Sequence, residues 1–250
     1  MVLFTQLDKV IMKTTTINNT NSNASISPLV IHNGTVEGLK WLALVIMTLD
    51  HINKFFYNET LPGVFQLGRI AMPIFAFVLA YNLARPNAFE SGLYQRVMKR
   101  LALYGAISLP ACFFLMGKAA LGFPANIMFM LLVSTATLFF IQKKDASSAW
   151  YAILIFSLGS IFVEYWWFGV MICIASFYYC KKPSFTNLFL ILISLVFVLL
   201  VNVNLWAVAA LPVILYAKKV ALPIPRVKNL FYAYYPIHLS VIAAILYMTR

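Results

Sequence analysis

Leu39-Lys40-Trp41-Leu42-Ala43-Leu44-Val45-Ile46-Met47-Thr48-Leu49-Asp50-His51-Ile52-Asn53-Lys54-Phe55-Phe56-Tyr57 reads as a helix that crosses a bilayer with an ionisable pair inside it. The run is close to the ~20 residues that a crossing needs. At a rise of about 1.5 Å per residue, Asp50 lies about 16 Å from the Leu39 end, at mid-membrane or slightly beyond. An ionised carboxylate at that depth costs about 2.5–3.5 kcal/mol on insertion scales, so Asp50 is expected to face a bundle interior or a water-filled cavity, with a partner. Lys54, at i+4 on the same helix face, is one such partner; a cation from another span is the alternative. His51 projects about 100° away from Asp50 and needs surroundings of its own, structural or functional.

The rest of the chain is similar material. Of its 250 residues 62% are hydrophobic and 10% charged, with a mean hydropathy of +0.86, against roughly 25% charged in soluble domains. A water-soluble fold is excluded. The net charge of +12 could suggest a nucleic-acid partner, but the basic residues come as pairs between apolar runs (Lys143-Lys144, Lys181-Lys182, Lys218-Lys219), as in cytoplasmic loops of membrane proteins. No basic patch is interleaved with accessible aromatics as single-strand binders require, so no nucleic acid is expected. Cys112, Cys173 and Cys180 stand singly in apolar runs and read as small buried hydrophobes. The chain has no GxxxxGK[ST], no GxGxxG and no metal-ligand spacing, which leaves a nucleotide-driven pump or a metalloenzyme without a basis.

Residues 1–36 differ in composition from the remainder of the chain. The stretch Thr14-Thr15-Thr16-Ile17-Asn18-Asn19-Thr20-Asn21-Ser22-Asn23 is too polar to bury anything, so 1–36 reads as a disordered tail, without the continuous apolar core of a secretory signal. Residues 37–250 read as one multi-pass membrane domain with candidate spans at 39–57, 64–84, 101–117, 125–142, 149–163, 165–180, 186–201, 204–217 and 230–249. The expected fold is therefore all-α, a polytopic transmembrane helical bundle of about nine spans with a cytoplasmic N-terminus. That arrangement puts fifteen of the nineteen Lys and Arg residues on the inner side, and only Lys54, Arg69, Lys118 and Arg250 toward the outer one, as the positive-inside rule requires.

Two further spans carry costly residues. In Leu67-Gly68-Arg69-Ile70-Ala71-Met72-Pro73-Ile74-Phe75-Ala76-Phe77, Arg69 is a permanent cation one to two turns below the outer surface, and Pro73 frees the Arg69 carbonyl. Arg69 either snorkels outward or acts as a cationic donor in a cavity beside Asp50 and His51. In Phe231-Tyr232-Ala233-Tyr234-Tyr235-Pro236-Ile237-His238-Leu239, Pro236 frees the Tyr232 carbonyl and His238 lies about 12 Å from the inner end. Glu164 and Asn126 fall at outer span ends, where solvation alone can account for them.

Together these stretches resemble the TraX family of membrane proteins, whose pattern reads approximately LKxxAxxxMxxDH, GRxAFPIFAF and FYxxYPxHL. Order and spacing agree over most of residues 37 to 245; Asn126 and the Glu164-Tyr165-Trp166-Trp167-Phe168-Gly169 segment are similar too. The long Asn/Thr-rich tail and Met72, where the family more often has Phe, are departures. The resemblance implies a bacterial inner-membrane acetyltransferase that uses acetyl-CoA as acyl donor, because TraX of F-type conjugative plasmids is associated with acetylation of the pilin N-terminus. The acceptor could equally be a glycan or a lipid.

Such a transfer needs a path through the membrane, a group that takes the acceptor's proton and a positive group for the oxyanion. On this reading His51 is the general base, with a transient acetyl-imidazole as a variant. Asp50 sets the local field, paired with Arg69 or Lys54. Arg69, or a hydroxyl of Tyr232 or Tyr235, stabilises the oxyanion, and His238 contacts the CoA or the acceptor. Asn126 and Glu164 are candidate substrate-side residues. Arg96, Lys99, Arg100, Arg226 and Lys228 are candidates to hold the CoA phosphates, unless topology alone explains them. The rival reading is a proton-coupled transporter or an assembly protein, against which stands the lack of an internal repeat.

Overall fold

The computed structural model describes residues 29–116, 126–227 and 229–249. Among them the regular structure is helical, in nine segments: α1 (Asn33–Phe56), α2 (Pro62–Ala84), α3 (Leu93–Met116), α4 (Ile127–Lys143), α5 (Ala146–Phe162), α6 (Trp166–Lys181), α7 (Phe185–Asn202), α8 (successive turns Trp206–Ala209, Ala210–Tyr216 and Ala217–Lys219) and α9 (Leu230–Met248). Each overlaps one expected span. Four of them, α2, α3, α7 and α9, are long and apolar enough to cross a membrane. The others are shorter or, like α1 with Glu37, Lys40, Asp50 and Lys54, carry more charge.

Two boundaries differ from the sequence reading. α1 begins at Asn33, inside the segment expected to be tail, and Leu29 and Ile31 just before it are buried in the bundle; the polar stretch 14–23 lies outside the described residues. α3 begins eight residues before the expected span, at Leu93. Gly92, at φ +70°, makes the turn into it, and the Tyr94 hydroxyl donates to the Leu83 carbonyl at 3.0 Å, so the basic residues Arg96, Lys99 and Arg100 ride on helix instead of loop.

The N-terminal end of α1 is tied down by the chain that precedes α9. Thr35 Oγ1 donates to the Val220 carbonyl at 2.7 Å and accepts from the Leu222 amide at 3.2 Å. Gly34 is what lets that extended link approach, since a Cβ there would overlap the Leu222 carbonyl oxygen.

α2 forms the centre of the bundle. Its apolar window is 56% buried, against 28% for α7 and for α9, because it packs between α1 and α6 with α8 across it. Ile74, Ala76 and Ala80 are fully enclosed and Pro73 is buried beside them. α3 packs on α4 and α9, and α6 on α7. α9 closes the ring against α1: Trp41 meets Phe231 with ring centroids 5.2 Å apart, Thr48 meets Tyr234 and His51 meets His238. The rising numbers on both helices mean that α1 and α9 run in the same direction, so His51 and His238 share one level of the bundle.

Candidate functional site

Where α1 faces α9 the polar side chains form a column. Thr48 Oγ1 and the Tyr234 hydroxyl lie 2.8 Å apart, and one turn further His51 Nδ1 and His238 Nε2 lie 2.8 Å apart. The two imidazole planes agree to 1° with centroids 5.0 Å apart, the geometry of an in-plane hydrogen bond. His238 Nδ1 in turn reaches the Tyr234 carbonyl at 2.9 Å. A carbonyl can only accept, so His238 carries its hydrogen on Nδ1 and, as a neutral ring, offers a lone pair at Nε2. His51 Nδ1 must then donate to it. The proton order along the column therefore leaves His51 Nε2 with its lone pair unspent, the form of a base or nucleophile. Tyr234 lies flat against His238, the planes 14° apart, and Tyr235 meets the ring edge-on, so its orientation is fixed on two sides.

One helix further over, Arg69 of α2 donates to Asp50 Oδ2 at 2.6 Å, with both side chains about 15% exposed or less. Of the two partners open to Asp50, Arg69 is the one in hydrogen-bond contact. Gly68 makes room, because a Cβ there would overlap the Asp50 carboxylate. The Arg69 guanidinium lies 4.4 Å from the Phe65 ring centroid, and its Nε is buried with no protein acceptor among the described residues. A buried cationic donor left open in this way suits an oxyanion. Asn53, 1% exposed, clasps the start of α2 by donating to the Leu61 carbonyl and accepting from its amide, both at 3.1 Å, which fixes α1 against α2.

A cavity of about 460 Å³ opens between α1, α2, α3, α4 and α9. Lys40, Arg85, Arg96, Arg100 and Arg226 ring the end near the α2–α3 turn; Ile127, Tyr234 and Tyr235 lie at the other. No Asp or Glu lines it among the described residues. Lys40 is neutralised by Glu37 at 2.6 Å, whereas Arg85 and Arg96 are held by neutral groups, the Asn33 side chain and the Ser91 carbonyl. Arg100 lies over the Tyr232 ring. The histidines stand behind Tyr234 and Tyr235, just outside the cavity wall.

The structure thus brings together Asp50, Arg69, His51, His238 and Tyr235 on one side, and Tyr232, Arg96, Arg100 and Arg226 around the cavity. Lys99 is exposed and does not line it; Lys228 lies outside the described residues. Asn126 is spent on structure: its Oδ1 caps α4 by accepting from Met128 N at 3.0 Å, and its Nδ2 donates to Gly105 O and Ser108 Oγ of α3. Glu164 sits partly buried in the α5–α6 turn, within electrostatic reach of Tyr235.

Sequence reasoning passed over four residues. Tyr234, Thr48 and Asn53 were hidden as ordinary helix residues. Tyr165 entered only within the family-like segment and was given no role: it and Trp166 take φ of +61° and +48°, rare for bulky residues, and Tyr165 lies within electrostatic reach of Arg69.

An all-helical bundle with membrane-length apolar helices and a buried centre of two histidines and an ion pair defines a multi-pass membrane protein. The family model described as "TraX protein" matches residues 35–246, from the first turn of α1 to the last of α9, and the chain belongs to the TraX family. Protein TraX of Escherichia coli is 31% identical over 157 residues, 58% of this chain and 59% of that protein. An uncharacterized protein of Rickettsia prowazekii (strain Madrid E), RP591, is 39% identical over 69 residues, 28% of this chain and 23% of that protein. The chain therefore spans less than two thirds of the length of these curated relatives. No solved structure matches it.

Proposed function

We propose that this protein is a membrane acetyltransferase, moving acetyl from acetyl-CoA to an acceptor at the bacterial inner membrane, with all nine helices crossing and the N-terminus in the cytoplasm. The observation that carries the reading is the cation-ringed cavity whose far wall, Tyr234 and Tyr235, rests on the hydrogen-bonded histidine pair. Arg85, Arg96 and Arg226 suit the phosphates of CoA, and the apolar shaft beyond them suits the pantetheine arm. The acceptor approaches from the Asp50–Arg69 side. Its amine attacks the thioester carbonyl while His51 Nε2 takes the amine proton; Arg69 Nε–H, or the hydroxyl of Tyr232 or Tyr235, holds the oxyanion. Collapse breaks the C–S bond, leaves the acceptor acetylated, and the departing thiolate regains a proton from His51. The acceptor class is an N-terminal amine such as a pilin's, or another envelope molecule, glycan or lipid.

The test is transfer of labelled acetyl from acetyl-CoA in isolated membranes, with protein, lipid and glycan fractions separated. His51→Ala is expected to lower label in one fraction by about 10²–10⁴-fold, the usual worth of a general base, at unchanged abundance. No label in any fraction from folded wild-type protein with acceptors present sinks the proposal. The same in-line histidine pair would also suit a proton relay in a transporter, which predicts proton movement with no covalent acetyl.

A further inference from the structure

Away from this site a second cavity, of about 880 Å³, lies between α4, α5, α6 and α7. α4 and α6 form its floor; α5 packs on α4 and α7 on α6, which leaves a trough between them. Its rim residues Ile153, Tyr178 and Leu190 are 55%, 40% and 43% exposed, so it opens on the flank of the bundle between apolar helices. The lining is apolar apart from Thr137, Tyr178, Ser194, whose hydroxyl is spent on the Leu190 carbonyl, and one charged end. Lys144, which follows α4, and Asp145 stand at one end; Thr137, 2% exposed, has a hydroxyl with no protein partner among the described residues.

The charge at that end is positive on balance. Asp145 is tied into the start of α5 by Ser147 and Ser148. Lys143, whose Nζ lies 5.4 Å and 5.5 Å from the Phe139 and Phe140 ring centroids, stands beside Lys144, and Lys181 and Lys182 end the neighbouring α6. A hydrocarbon-lined trough open on the flank of an apolar bundle, with lysines at one end, complements an amphiphile with an anionic head.

We infer that this trough is a binding seat for an anionic phospholipid, with the phosphate at Lys143 and Lys144 and the acyl chains lying between α5 and α7. The seat is independent of the acetyl-transfer reading, since none of its residues touches the histidine pair or the cation-ringed cavity.

The experiment measures binding of phosphatidylglycerol to the delipidated full chain by native mass spectrometry, with phosphatidylcholine and glycerol phosphate as comparisons. Phosphatidylglycerol is expected to bind and stabilise the protein, and the other two are not. At about five-fold per lysine, the double variant Lys143→Gln/Lys144→Gln is expected to bind about 30-fold more weakly. Ile153→Trp with Leu190→Trp fills the trough at two exposed positions without changing charge, and is expected to remove the bound lipid from a still monodisperse protein. Equal binding of phosphatidylcholine, binding of glycerol phosphate alone, or retention by the folded tryptophan variant would each overturn the seat. Should one variant fail to fold, the other decides.

Discussion

Between α1, α2 and α9 the polar side chains Thr48, Asp50, His51, Arg69 and His238 reach across helices or onto backbone at 2.6 to 2.9 Å. In α4 and α7 Ser134, Thr135 and Ser194 turn back on the carbonyl four residues earlier in their own helix, as Thr48 and His238 also do, but without the second, interhelical hydrogen bond that those two make. The first half is therefore joined across helices by side chain to side chain bonds, including an ion pair, whereas the second is joined by packing and by side chains that reach backbone, Asn187 to the end of α6 and Trp167 to α5, around the 880 Å³ cavity. Polar groups in a membrane are worth most where they join helices, because each is then the other's only replacement for water. A fixed proton order is possible only in the first half.

The most forceful way to break that comparison is to remove one partner of the Asp50–Arg69 pair. Arg69→Ala leaves the carboxylate largely enclosed, so a loss of about 3–5 kcal/mol is expected, read as unfolding free energy in detergent. Ser134→Ala, which removes a bond within one helix, is expected to lose under about 1 kcal/mol. The double variant Asp50→Ala/Arg69→Ala should lose less than the sum of the singles. Equal small losses for Arg69→Ala and Ser134→Ala would mean that the pair is hydrated and the two halves are alike.

A finer cut uses two glycines of α2. Gly68→Ala drives a methyl into the Asp50 carboxylate and should cost about 1–3 kcal/mol. Gly63→Ala meets nothing within 4 Å and should be neutral or gain up to about 1 kcal/mol from helix propensity. If Gly68→Ala were as benign as Gly63→Ala, the close seat of α1 on α2 would be looser than the ion pair implies.

The same contrast explains what could be read from the sequence. Asp50, His51, Arg69 and His238 stand out because ionisable residues in apolar runs must have a reason to be there, and the nine helical segments arise from hydrophobic runs. Which of them touch is not written in those runs. His51 and His238 sit at unequal distances from the inner ends of their spans, and only the crossing of α1 and α9, with Trp41 opposite Phe231, brings them level. The helix starts at Asn33 and Leu93 depend on Gly34 admitting the 220–224 link and on Gly92 turning the chain, which hydropathy does not register. Asn126 reads like a site residue, yet its amide is consumed in joining α4 to α3. Both cavities are spaces left where helices diverge, and a space has no residue of its own to announce it.

The smallest expected effect lies at the rim of the packed half. Asp145 precedes α5 and accepts from Ser147 Oγ at 2.6 Å, Ser148 N at 2.8 Å and Ser148 Oγ at 2.7 Å, and these hydrogen bonds pull its carboxyl down to about 2. An unfolded aspartate titrates near 3.9. The folded value is the lower one, so the stabilisation is fully present above about pH 4 and is lost as the pH falls through 4 toward 2. Unfolding temperatures of wild type and Asp145→Ala should therefore differ slightly at neutral pH, approach each other as the pH falls from about 4 and converge below about 2. Asp145→Asn, whose side chain still caps the helix, should show little of that pH dependence. In the first half no such simple convergence is expected, because removing Arg69 strands a partner at every pH at which Asp50 is ionised. A gap for Asp145→Ala that persisted unchanged to pH 2 would show that the carboxyl works through packing rather than charge, and the rim of the trough would then lack the tied-down carboxylate that leaves its lysines available.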